Sequence, residues 1–192
     1  MKNLVLIAAA SAVFVAPQVA SAQALPAAII AVVDINRASS QCNACKVAVA
    51  GLEGQVNALK ALQAQLDGSL QADARSIQSA VTALNGKQPD AALTARAKAF
   101  EQKQGDAQRQ LQGRQAAFER NRGYVFKQIG DKLDPVVTSV MARRGATVML
   151  DTSNAVRFSP AIDVTSDVIA GLNASLTSVN TTAPATAAPQ GR

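Results

Sequence analysis

Histidine and tryptophan are both missing from the 192 residues, and aromatic side chains make up only 3%. Without imidazole there are no His-based triads, no His general bases and no His metal ligands. Large rings supply much of the bulk of a globular core, so their scarcity argues against a thick one. Carboxylates remain, but no pair of them sits in an apolar context that would raise a pKa. The chain is therefore read as a non-enzyme with no cofactor and no metal. Long apolar runs are also scarce. The longest, LVLIAAASAVFVA (Leu4–Ala16), is too short and too rich in alanine for a comfortable membrane span. Met1-Lys2-Asn3 precedes it, and Pro17 and the small-residue triplet Ala20–Ala22 come after it. That order is the signature of a secretory signal peptide, over 1–22. The mature chain is expected to begin near Gln23 and to reach an oxidising space, the style of the leader suggesting a bacterial periplasm.

Alanine, leucine, glutamine, lysine and arginine dominate the middle of the chain, a bias toward long helices. The β-branched run Ile29–Val33 reads as a short strand buried on both sides. From Ser40 to Asn85, apolar residues recur in steps of three and four: Val49, Leu52, Val56, Leu59, Leu62, Leu66, Leu70, Ile77, Val81 and Leu84, with Ala74 filling the one missing step. This is one narrow stripe, as in a coiled-coil seam. NGKQPD (Asn85–Asp90) then stops one helix and starts another. A second stripe runs through Leu93, Ala97, Phe100, Ala107, Leu111, Phe118, Val125, Ile129, Leu133, Val136 and Val140. Two such helices joined by a short turn make an antiparallel arm, 40–144, on the order of 70 Å long. Pro135 should kink the second helix.

Gly145 closes the arm, Thr147–Asp151 reads as a strand, and Ala155–Ser159 reads as another. Thr165 can cap a short last helix. Residues 174–192 lack periodicity and read as a disordered tail. The fold class is α+β: a small β body (23–39 and 145–173) carrying a helical arm. Such a body is too small to stand alone, so it should oligomerise, with Val32, Val148 and Leu150 as the buried face.

The order of elements, the opening IAVVDINRA, the closing VMLDTSNAVRFSPAIDVTSDVIAGL and the basic hairpin between them resemble the Skp (OmpH) family of periplasmic chaperones, over roughly Ile29 to Asn173. The resemblance implies a homotrimer with helical arms around a cavity. It implies ATP-independent holding of unfolded outer-membrane β-barrel proteins during outer-membrane assembly. The net charge of +6 is uneven: from Thr94 to Arg144 there are eleven Lys and Arg against five Asp and Glu. Arg96, Lys98, Lys103, Arg109, Arg114, Arg120, Arg122 and Lys127 are candidates for attracting acidic clients by long-range steering, and a solvated coiled-coil surface is the plainer reading of the same charges. Phe126, beside the stripe, is the candidate apolar client contact. A peripheral contact with an anionic membrane surface is a further candidate. No stacking aromatics and no DNA-binding motif accompany the charge, so no specific nucleic-acid partner is expected.

Cys42 and Cys45, the only cysteines, form a C-x-x-C that the family pattern does not include. The pair reads first as a local disulfide or two packed small residues. Cross-links to other subunits or clients, a redox site and a metal site remain open beside it. The rival functions are a periplasmic thiol oxidoreductase using this pair and a structural coiled-coil spacer.

Overall fold

The computed structural model describes residues 26–184. The leader read over 1–22 lies outside the described residues. Strand β1 (Ile30–Val33) leads into a short helix α1 (Ile35–Gln41), then α2 (Asn43–Ala83), α3 (Ala91–Arg144), strand β2 (Val148–Asp151) and α4 (Thr165–Ser175). Two single-turn 3-10 helices, Thr152–Asn154 and Pro160–Ile162, join β2 to α4.

Local chemistry sets the breaks. Asp34 accepts the Arg37 N–H at 2.8 Å and caps α1. Asp90 accepts the Leu93 N–H at 2.7 Å and caps α3. Between α2 and α3, Asn85 and Gly86 take positive φ values of 46° and 85°, the left-handed conformations that these two residues tolerate best. Gly145, at φ 65°, ends α3. The helix expected from Ser40 in fact begins earlier and breaks at Cys42, where the extended backbone (ψ 152°) separates α1 from α2. Helix α3 continues through Pro135.

β1 and β2 pair in parallel, Ile30 with Val148 through Val33 with Asp151. On the other side of β1, the Val164 N–H donates to the Val32 carbonyl at 2.9 Å, beside a single parallel bridge from Val32 to Asp163. The strand expected at Ala155–Ser159 does not form. Val156 there is fully exposed, and the third extended pairing falls at Asp163 instead. Thr165 does not cap α4. It is completely buried, its hydroxyl donating to Asp163 and accepting the Asp34 N–H at 2.9 Å. That one side chain ties β1 to the start of α4.

The core lies at the base and is built from small side chains: Ala31, Val33, Ala38, Cys42, Cys45, Ala48, Val125, Ile129, Val140, Val168 and Leu172 among them. A chain with few rings fills its interior in this way. Gly171 permits the closest approach, because a Cβ there would stand 2.6 Å from Val136 Cγ1. Along the arm the seam is different. Leu59, Leu62, Leu66, Leu70 and Ile77 are only half-buried, and on the facing helix only Leu93 and Ala107 are buried toward the tip.

Of the tail expected over 174–192, residues 185–192 lie outside the described residues, and the part before them departs most from expectation. Helix α4 runs to Ser175, Leu176 is buried in the base core, and Thr177–Pro184 lie across α2 and α3. The composition lacks periodicity because this strap is neither helix nor strand, and arm side chains bond four of its backbone groups, at Asn180, Thr181 and Ala183.

Candidate functional site

The two-stranded sheet leaves an apolar row uncovered. Val148 and Leu150 of β2 are 36% and 38% exposed, and Ile30 of β1, opposite Val148, is exposed as well. Ile29, Val156 and Phe158 add exposed apolar surface to the same base. Val32 does not share in this row. It is buried within its own chain because the Asp163–Val164 segment runs along it. The exposed apolar position on β1 is Ile30 instead.

Two carboxylates fasten this face. Donation from the Ser153 hydroxyl and N–H holds Asp151 below the ordinary carboxylate range, and Asp151 also accepts the Ile35 N–H at 3.2 Å. Donation from the Thr165 hydroxyl and N–H holds Asp163 down likewise, with the Arg37 charge contributing.

The basic side chains of α3 do not form one face. At 3.6 residues per turn, Lys98, Arg109, Arg120 and Lys127 recur on the side away from the seam, while Arg96, Lys103 and Arg114 flank it. Several are already engaged. Lys103 bridges to Asp73 of α2 at 2.5 Å and bonds Ser69, Arg96 reaches Ser76 at 2.6 Å, and Lys127 pairs with Asp131 at 2.7 Å. Arg109 pairs with Asp106, and Arg122 with Glu119 at 3.5 Å. Among the described residues, Lys98, Arg114 and Arg120 have neither a carboxylate partner nor a side-chain hydrogen bond, while Arg96 has only the Ser76 hydroxyl. These three carry the least compensated charge.

Phe126 is 54% exposed, with the Arg122 guanidinium over its ring at 5.7 Å from the centroid. It edges a cleft of about 480 Å³ with Val49, Leu52, Val56 and Phe118. Phe100 and Phe118 are half-buried on the seam.

Cys42 and Cys45 are joined by a disulfide, and both residues are 0% exposed. Cys42 Sγ accepts the Cys45 N–H at 3.1 Å and so caps α2. A redox dithiol must expose an attacking sulfur, and this pair is covered on all sides by the base core. The oxidoreductase reading therefore fails on access. Among the described residues no cluster of three His, Cys, Asp or Glu could hold a metal ion. No described helix is long and apolar enough to cross a membrane.

Sequence reasoning missed a set of amides. Asn173 of α4 accepts the Asn43 N–H at 2.7 Å at the head of α2. Gln55, Asn121 and Gln128 hold the strap. Asn121 and Gln128 stand one heptad apart beside the stripe, and Gly51 lies within α2 at the same level. A polar heptad step next to a helical glycine is the signal that could have found them.

Base, paired strands and hairpin define a class: an α+β protein whose small base projects a long two-helix arm. The family model for outer membrane protein (OmpH-like) matches residues 29–172, and the chain belongs to that family. A protein of Caulobacter crescentus, crystallised and assigned as an OmpH-like outer membrane chaperone, has the same fold. Its TM-score is 0.67 at 20% identity, over 82% of this chain and 90% of that one. No curated protein matches.

Proposed function

We infer that the chain is a periplasmic outer-membrane chaperone, an ATP-independent holdase for unfolded outer-membrane β-barrel proteins, assembled as a homotrimer through its base. The observation that carries this reading is the family match, which spans both the base and the arm. The uncovered row of Ile30, Val148 and Leu150 supports assembly, since an exposed apolar face on so small a body marks an interaction surface. The half-open seam and the uncompensated Lys98, Arg114 and Arg120 support weak, many-point holding of an acidic client. The same charges fit a peripheral contact with an anionic membrane. Neither requires specific nucleic-acid binding, and neither requires catalysis.

Light scattering of the chain from Gln23, with and without a denatured outer-membrane barrel, tests the reading. Soluble complexes and suppressed aggregation without nucleotide are expected. Unchanged aggregation at every salt concentration would leave only a coiled-coil spacer. Leu150→Asp should break the oligomer, because it buries an unpaired charge in the contact. An unchanged mass at micromolar concentration would move assembly elsewhere. Replacing Lys98, Arg114 and Arg120 by Gln should slow capture at low salt more than it speeds release, as read by stopped-flow binding.

A further inference from the structure

The strap is held in an unusual way. Gln128 Nε2 donates to the Asn180 carbonyl at 2.8 Å, and Gln128 Oε1 accepts the Asn180 N–H at 3.0 Å. That two-point pairing is what a neighbouring β-strand would offer. Gln55 Nε2 donates to the Thr181 carbonyl at 2.9 Å, and Asn121 Oδ1 accepts the Ala183 N–H at 2.9 Å. Asn121 Nδ2 in turn donates to Gln55 Oε1 at 2.9 Å, which locks the amides of α2 and α3 to each other. All four bonds to the strap end on backbone atoms. Gly51 leaves the floor open, since a Cβ there would stand 2.9 Å from Thr181 Cγ2.

Three side-chain amides thus hold a peptide by its main chain. The groove does not stop where the strap does. A cleft of about 800 Å³ takes in Thr182–Pro184 and runs on between Leu59, Leu62, Ala117 and Phe118. The groove also lies inside the segment that defines the family, residues 29–172, whereas the strap lies beyond it. The site is wider than its occupant, and the occupant lies outside the family match.

We propose that the groove of Gln55, Asn121 and Gln128 is a binding site for an extended, unfolded polypeptide segment recognised through its backbone, and that Thr177–Pro184 occupies it in cis and must be displaced by a client. The client half of this rests on the holdase reading. The backbone-recognition half does not. Main-chain recognition suits a protein that holds many sequences, and a tethered occupant competes at high effective concentration. The strap therefore sets a threshold that a weak segment does not pass.

The test uses the chain from Gln23 with Asn180→Pro and Ala183→Pro, which removes both donated N–H groups. A fluorescent peptide of Thr177–Pro184 is titrated against it by anisotropy, beside a peptide N-methylated at Asn180 and Ala183. The expected result is saturable binding, weakened about tenfold by methylation through loss of two hydrogen bonds, and weaker binding to the parent chain. Equal binding of both peptides, or of neither, overturns backbone recognition. A denatured barrel protein should bind the double-proline chain about tenfold more tightly than the parent, and equal affinity overturns displacement. A chain ending at Leu176, which keeps every buried residue of the core, repeats each arm should the double-proline chain misfold. In the parent chain, client should speed hydrogen exchange at the Asn180 and Ala183 amides, and unchanged protection counts against displacement. If no chain holds a barrel protein while the peptide results stand, the holdase reading falls and the backbone site remains.

Discussion

The base and the arm belong to one chain and are held by different physics. In the base, Val140, Val168, Leu172 and both cysteines are fully buried around helices that approach within glycine distance. In the arm, leucines at the right spacing remain half-exposed, and polar links such as Lys103 to Asp73 and Asn121 to Gln55 cross the seam. Seam spacing alone does not make a packed seam. Alanine, glutamine and arginine fill the positions beside it on α3, so the two helices touch without closing over each other. The arm should therefore open locally more readily than the base, because local stability tracks buried apolar contact.

The contrast is sharpest for equal truncations. Leu172→Ala should cost about 3 kcal/mol, the usual loss for a buried leucine. Leu66→Ala in the arm should cost under about 1 kcal/mol, since its side chain is already half in water. Thermal melts followed by circular dichroism compare them, and equal losses would erase the distinction. Gly171→Ala should be nearly as damaging as the first, about 2 kcal/mol, because the added methyl meets Val136. Gly68→Ala, with open space around it, should stabilise the arm slightly. Replacing both cysteines by Ala should cost the base about 2 kcal/mol, the chain-entropy value for so short a loop. Client holding should persist, and its loss would revive a thiol function.

The smallest effect concerns pH. The folded pKa values of Asp151 and Asp163 are depressed, so their contribution is present above the unfolded value of about 3.9 and is lost as pH falls through the folded values. Melting points should be flat in this respect from pH 7 to about 5 and drop below about 4. Asp163→Asn should lower the plateau and flatten the acid limb. An unaltered acid limb would mean that other groups govern it.

Much of this architecture was legible in the residues. The stripes and the Asn85-Gly86 turn predict the hairpin, and the β-branched runs predict β1 and β2. Two kinds of feature were not legible. One is pairing set by distant partners: Val32 is covered within its own chain by Asp163, and AVRFS has strand composition but no neighbour to pair with. The other is backbone held by side chains. The strap has no hydrophobic period because Gln55, Asn121 and Gln128 supply its hydrogen bonds, and a pattern search sees only apolar spacing.

The parallel register of β1 with β2 has a separate consequence. Ile30 and Val148 are partners, and everything between them leaves the base and returns to it. Topologically the hairpin is a long insertion between two adjacent strands. Its length is thus uncoupled from the base, and removing one heptad from each helix near the turn should shorten the reach by about 10 Å while leaving the melting of the base unchanged. The arm is a ruler whose length can be reset without rebuilding the strands it stands on.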